Sequence, residues 1–199
     1  MPRPSGNPFV TGLVLAAGGS SRLGQPKQLL PYGDGTLLQH VLATACASPL
    51  DQLIVAVGGS ADEVLASVDL NGADVVINHS YGEGCSSSIS ASLPLVDPEC
   101  DVLVLMLGDQ PGVTASSVCA LVQGRGDAPV AVCRYDNGRG HPFAFGRSVF
   151  GELEKLHGDK AVWKLLERRP ELVREVRVPG LVPPDVDTWE DYEAVLSAQ

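Results

Sequence analysis

Positive charge is what the first half of this chain lacks. Arg3, Arg22 and Lys27 are the only Lys or Arg among its first 100 residues, and residues 51–100 carry eight acids and neither cation. The formal net charge of −10 excludes a general nucleic-acid binder, which needs a basic face to neutralise phosphates. No apolar run approaches the roughly 20 residues of a membrane-spanning helix. Residues 1–8 are polar and Pro-rich, hold no signal-peptide core, and are expected to form a flexible tail. The five cysteines (Cys46, Cys85, Cys100, Cys119, Cys133) form no C-x-x-C pair, which argues against structural zinc and for reduced thiols in a cytoplasmic protein. Two nucleotide signatures are also missing. There is no G-x-G-x-x-G with an acid closing the second strand, and no G-K-[ST] of a Walker A loop.

What is present starts with Leu15-Ala16-Ala17-Gly18-Gly19-Ser20-Ser21-Arg22-Leu23-Gly24-Gln25-Pro26-Lys27-Gln28, directly after the apolar run of residues 9–15. Small, flexible residues let backbone N–H groups turn inward around phosphate oxygens, and Arg22 and Lys27 reach over them as cations. Two scarce cations in one loop of an acidic half point to an anionic ligand. The competing reading is a flexible strand-to-helix turn with both charges solvated.

The chain's 199 residues suffice for one domain with a sizeable core, expected over residues 9–199. Strand-length apolar runs recur at residues 9–15, 52–57, 74–77, 101–107 and 129–133. Those at 53–57 and 102–107 do not alternate with polar residues, as expected of strands covered on both faces. Helix-like stretches at 36–47, 61–68, 114–122, 160–169 and 189–196 lie among them, with Thr114, Asp159 and Thr188 placed as caps. Alternating elements predict an α/β, Rossmann-like three-layer α/β/α sandwich with a mostly parallel sheet. Residues 134–145, with Asp136-Asn137-Gly138 and Gly140-His141-Pro142, break the pattern as a hairpin or a substrate-facing insertion.

Ligands of open parallel sheets bind at the carboxyl ends of the strands. Gly108-Asp109-Gln110-Pro111 follows the strongest strand, where an acid can hold Mg²⁺ against phosphate oxygens or simply form a turn. Asn78 to Ile89 follows another strand, and its glycines and hydroxyls suit a sugar or base, or an ordinary helix cap continuing as a helix over 85–95. Cys85 is a poor nucleophile, because Glu83 beside it raises a thiol pKa. His141 reads as a structural or substrate-contact histidine ahead of a general base. The acidic run from Asp185 to Tyr192 caps the last helix on dipole grounds alone. Trp163 and Trp189 read as core or subunit-contact residues.

Taken together these segments resemble the MobA-like NTP transferases, and within them the molybdenum-cofactor cytidylyltransferase (MocA-like) branch. The resemblance rests on Leu15-Ala16-Ala17-Gly18 through Arg22, Gly24 and Lys27-Gln28-Leu29-Leu30-Pro31. It continues in Asn78 with Gly84 and Ser88, Gly108-Asp109-Gln110-Pro111, Gly140-His141-Pro142, Gly158-Asp159-Lys160, and Asp185-Val186-Asp187-Thr188 before Glu190-Asp191-Tyr192. It covers nearly the whole chain. The resemblance implies a nucleotide-diphospho-sugar transferase-like fold and transfer of CMP from CTP to the terminal phosphate of molybdenum-molybdopterin, with release of pyrophosphate.

On that resemblance, Leu15, Ala16, Ala17, Gly18, Gly19, Ser20, Ser21, Arg22, Gly24, Lys27, Asn78, Gly84, Ser88 and Asp109 hold the nucleotide, and Arg22, Lys27 and Asp109 are catalytic. Asp109 holds Mg²⁺ with Asp187 as second ligand. Gln110, His141 and Asp159 contact the acceptor. A transient contact with a molybdoenzyme or its chaperone, and a monomer or weak dimer, are expected. The Ala16-Ala17 form is similar to the cytidylyl branch, whereas the guanylyl branch usually has Leu-Ala-Gly-Gly. Gly19 departs from the branch, which often has arginine there. Because the branch also contains chains described as oxidoreductases, three alternatives stand beside the cytidylyl reading. They are a guanylyl or sugar-phosphate nucleotidyltransferase, an NAD(P)H-dependent oxidoreductase, and a non-catalytic cofactor-delivery protein.

Overall fold

The continuous apolar runs become the central strands of a seven-stranded sheet. In chain order the strands are β1 (Val10–Ala16), β2 (Pro31–Tyr32), β3 (Gly35–Thr36), β4 (Gln52–Val57), β5 (Asp74–Ile77), β6 (Val102–Leu107), β7 (Val130–Tyr135), β8 (Gly138–Gly146) and β9 (Val173–Arg177). The helices are α1 (Leu37–Cys46), α2 (Ala61–Ser67), α3 (Cys85–Ser92), α4 (Ala115–Arg125), α5 (Phe150–Leu153), α6 (Ala161–Arg168) and α7 (Trp189–Ser197). The computed structural model describes residues 7–198, so most of the tail expected over residues 1–8 lies outside the described residues.

The sheet order is β5-β4-β1-β6-β8-β7-β9, with β2 and β3 forming a separate small pair. Within the seven-stranded sheet only β8 runs antiparallel to its neighbours, and the remaining neighbours there pair in parallel; β2 and β3 are antiparallel. Successive side chains of a strand point to opposite faces, and both faces are covered. Val14, Val55 and Met106 meet Leu38 and Leu42 of α1, Val64 of α2 and Val118 and Leu121 of α4. Leu13, Ile54 and Leu105 meet Ile89 of α3, Leu153 of α5 and Val162 and Leu166 of α6. That is the predicted three-layer sandwich. Each large aliphatic side chain fully buried in it contributes ~1.5–3 kcal/mol of transfer free energy. A third, smaller cluster of Leu23, Leu30, Leu37, Val186 and Val195 lies outside the two main layers and ties the first loop to the C-terminal segment.

The chain leaves β1 toward β4 and β5 on one side, and β6 flanks β1 on the other. That reversal opens a crevice at the carboxyl ends of β1 and β6. Residues 134–145 resolve as a hairpin, with β7 and β8 joined through Asp136 and Asn137. Its far strand is inserted between β6 and β7 as an internal strand of the sheet. The hairpin tip holds the returning chain: Asn137 Oδ1 accepts from the Val182 N–H at 2.8 Å, and the Asp136 N–H donates to the Gly180 carbonyl at 2.9 Å. The edge strand β9 is not foreseen from the sequence. The caps at Thr114 and Thr188 are present as capping boxes, closed by Ser117 and Asp191. Asp159 does not cap α6. Lys160 stands at the cap without a side-chain bond, and the Asp159 carboxylate is turned to α3.

Candidate active site

The loop after β1 is held by its own sequence. Gln28 is buried and donates through Nε2 to the carbonyls of Ala16 (2.7 Å) and Gly18 (3.0 Å). Ser20 Oγ accepts from the Lys27 N–H at 2.9 Å. Ser20 and Gly24 have φ of 50° and 69°, the left-handed turns that fold the loop back on itself. Leu23 anchors the loop in the third cluster. From the turn after β4, the Gly59 N–H donates to the Ala17 carbonyl at 3.2 Å. A Cβ on Gly58 would lie 2.7 Å from that same oxygen, so only glycine lets the two turns approach.

Loop, β6 end and α3 enclose a cleft of about 240 Å³. Leu15, Ala16, Ala17, Gly18, Lys27 and Gln28 line it, as do Leu107, Gly108 and Asp109, and Gly84, Cys85, Ser88, Tyr81 and Asp159 complete the lining. Lys27 Nζ donates to Asp109 Oδ2, and to Asp187 Oδ1 at 2.8 Å. Arg22, largely exposed, reaches the other oxygen of Asp187 at 3.2 Å. Burial works against the Lys27 cation, but Asp109 and then Asp187 outweigh it and hold its pKa above the ordinary lysine value. The hydrogen bond from Lys27, reinforced by its charge and by Arg22, holds Asp187 below the ordinary carboxylate range against its partial burial.

Asp187 reaches Lys27 because residues 181–188 run as a strap tied to the segment after β6. The Val186 N–H donates to the Asp109 carbonyl at 3.1 Å. Gln110 Nε2 donates to the Pro183 carbonyl at 3.1 Å and to Asp185. Gln110 Oε1 is buried without a partner among the described residues. Burial and the neighbouring Asp109 push the Asp185 pKa up, against the hydrogen bond from Gln110.

Two carboxylate oxygens therefore frame one cation position. Hard oxygen donors of this kind suit Mg²⁺ or Mn²⁺, which retain waters and take further ligands from phosphates. Among the described residues no cluster of three or more His, Cys, Asp or Glu forms a fuller cage. The residues that could contribute to such a site are Asp109 and Asp187.

Across the cleft, Gly84 has φ of 99°, and a Cβ there would sit 2.6 Å from the Asp159 amide nitrogen. Asp159 Oδ1 accepts from the Cys85 N–H at 3.2 Å, and the Cys85 thiol donates to the Asp159 carbonyl at 2.8 Å. Burial and then Asp159 push that thiol up to about 11, so it stays protonated. The upward shift is in the expected direction, but it comes first from burial, and the contributing acid is Asp159, not Glu83. Asn78 is buried behind the wall, where it donates to Ser87 (2.8 Å) and Ser88 (2.9 Å) and accepts from the Ser80 N–H (2.9 Å). It orients Ser88, which faces the cleft. Of the predicted site residues, Gly19, Ser20, Ser21, Arg22, Gly24, Asn78, Gln110, His141 and Asp187 are not among those lining the cleft. His141 is buried against Phe143 at 4.1 Å and Trp163 at 6.3 Å between ring centroids, and burial pushes its pKa down to about 3. The roles of Gln28, Tyr81, Asp185 and the Gly58-Gly59 turn are not assigned by sequence reasoning, although Gln28, Tyr81 and Asp185 stand inside segments it singles out.

Known proteins bear on this arrangement. The chain is 58% identical to the structure of an Rv0371c homologue from Mycobacterium sp. strain JC1, covering 95% of this chain and 96% of that one with a TM-score of 0.91. It is 46% identical to Rv0371c from Mycobacterium tuberculosis H37Rv in a complex with manganese, over 96% of this chain and 100% of that one, TM-score 0.87. Nicotine blue oxidoreductase from Paenarthrobacter nicotinovorans is 28% identical over 197 residues, 94% of each chain. The family model of the MobA-like NTP transferase domain matches residues 12–174. That match spans the glycine loop and the aspartate after β6 and most of the sequence, and the chain belongs to the MobA-like NTP transferase family.

Proposed function

We propose that this nucleotidyltransferase-family protein transfers CMP from CTP to the terminal phosphate of molybdenum-molybdopterin, with Mg²⁺, and releases pyrophosphate. The observation that carries the reading is the meeting of Lys27, Asp109 and Asp187 beside the glycine loop at the sheet's reversal point. The residues from Leu15 to Gly24 present backbone to the triphosphate. Lys27 and Arg22 neutralise charge on the α-phosphate and the departing pyrophosphate. Asp109 and Asp187 hold the metal, which when bound supplies further neutralisation at the phosphate oxygens. The manganese complex of the 46%-identical relative supports a divalent cation on this scaffold.

The acceptor phosphate is already ionised and attacks the α-phosphorus without a strong base. The surroundings suit this economy: the Cys85 thiol is protonated, and His141 sits behind the wall among aromatic rings. Rate then comes from positioning and charge stabilisation. Asp159 lines the acceptor side and Ser88 the nucleotide side, with Asn78 orienting Ser88, Gln110 holding the strap and His141 packing the wall behind. Such a product is handed on by transient contact with a molybdoenzyme or its chaperone. The Ala17 form of the loop supports CTP over GTP.

The test is pyrophosphate release with Mg²⁺ and molybdenum-loaded molybdopterin, offering CTP, GTP and ATP separately. Release with CTP alone is expected; release with GTP moves the chain to the guanylyl alternative. A second reading, a nicotinamide-dependent oxidoreductase, is favoured by the full-length match to nicotine blue oxidoreductase. The missing dinucleotide fingerprint weighs against it, and NADH oxidation by the purified protein tests it.

A further inference from the structure

The cation position between Asp109 and Asp187 is filled by the protein's own ammonium group. Lys27 Nζ bonds one oxygen of each carboxylate, and the side chains of Lys27 and Asp109 are only 12% and 17% exposed. A pair this shielded is far less screened by water than a surface ion pair. A divalent ion entering on the same oxygens needs contacts of about 2.0–2.1 Å. It cannot share them with an ammonium, because two like charges would then stand within one coordination shell.

The stem of Lys27 has a route away. It passes along Gly18, where a Cβ would lie 3.7 Å from its Cε, so the bare backbone of the loop leaves space beside it. The backbone of Lys27 is fixed independently, by its N–H bond to Ser20 Oγ. The side chain is thereby free to trade carboxylate partners for phosphate oxygens without moving the loop.

We infer that Lys27 is a stand-in cation: it occupies the metal position while the cleft lacks nucleotide, and yields it only when a triphosphate offers replacement oxygens. Metal alone is then a weak ligand, and metal and nucleotide enter together. The inference rests on the metal reading given under Proposed function. It adds that a residue of the binding loop opposes metal binding in the free protein.

The experiment is Mn²⁺ binding to the full chain without nucleotide, by electron paramagnetic resonance of free Mn²⁺. It compares wild type, Lys27→Gln, Lys27→Arg and Asp109→Ala, each checked for native circular dichroism. Lys27→Gln is expected to bind Mn²⁺ about tenfold or more tighter than wild type, a change of ~1.4 kcal/mol. Lys27→Arg, which keeps the charge, is expected to stay as weak as wild type, and Asp109→Ala to lose the site. If wild type and Lys27→Gln bind equally tightly at a site that Asp109→Ala removes, the stand-in role is overturned and the metal site stands. If no variant binds Mn²⁺ even with CTP added, both fall. If Lys27→Gln does not fold, Lys27→Arg against wild type decides: tighter binding by the arginine variant overturns the inference, because the charge would then not be what opposes the metal.

Discussion

Asp109 and Asp187 grip the same ammonium from opposite kinds of structure. Asp109 follows the last residues of β6, between buried strands, and its side chain is 17% exposed. Asp187 lies on an irregular strap, 48% exposed, and reaches Lys27 across 160 residues of sequence. Strap backbone is tied through Val186, Gln110 and the hairpin tip. One carboxylate is fixed by the sheet and the other is delivered by a tether. A fixed ligand sets where a cation binds, and a tethered one adjusts how firmly it is held.

The strongest way to break that comparison is Asp109→Ala. It should lower turnover by about 10³-fold or more while the native fold is kept, with a lowered melting temperature because the shielded Lys27 ammonium loses one of its two partners. Pyrophosphate release alongside calorimetry checks both halves. Lys27→Ala should follow, with a loss of about 10²-fold mainly in kcat, read from steady-state kinetics. Asp187→Ala should cost only about tenfold, appearing chiefly as a raised Mg²⁺ requirement. An equal loss at Asp109 and Asp187 would erase the distinction between fixed and tethered ligands. Gln110→Ala removes the donor to a partly buried Asp185 and should cost ~1–3 kcal/mol in urea unfolding.

The smallest expected effect is in pH. Asp187 has its pKa depressed in the folded chain, so its stabilising share is present above its ordinary value near 3.8 and lost as pH falls through the folded value. Lys27 has its pKa raised, so its share is present below the ordinary lysine value and lost as pH rises through the folded one. Asp185, raised by burial and Asp109, runs the other way: its folded form takes up a proton more readily than the unfolded chain and offsets part of the Asp187 loss. Between acid and alkaline limits the cluster's contribution should be flat. Melting curves of wild type and Asp187→Asn should converge at the acid end and draw closer at the alkaline end, where Lys27 loses its charge.

The same contrast separates what the sequence discloses from what it does not. β1, β4 and β6 are legible because burial on both faces removes polar alternation, and Asp109 inherits that clarity by following β6. β8 hides because Gly138, Gly140 and Pro142 look like punctuation, yet its second half, Phe143 and Phe145, is core. β9 hides because an edge strand keeps its charges. Asp187 carries no spacing signal toward Lys27, and only the family resemblance points to it. Asp159 looks like a helix cap because local rules weigh neighbours in sequence. The amide it serves belongs to Cys85, 74 residues away.

One feature of the strap also gives it an optical handle. Of the chain's two tryptophans, Trp163 packs edge-on against Phe143, with ring centroids 5.1 Å apart. Trp189 stands two residues beyond Asp187, 43% exposed, with Tyr192 as its ring neighbour. In a Trp163→Phe chain the remaining indole's emission and its quenching by iodide would report on the tether alone. Loosening or fastening of the strap can then be followed in real time, without a label and without turnover.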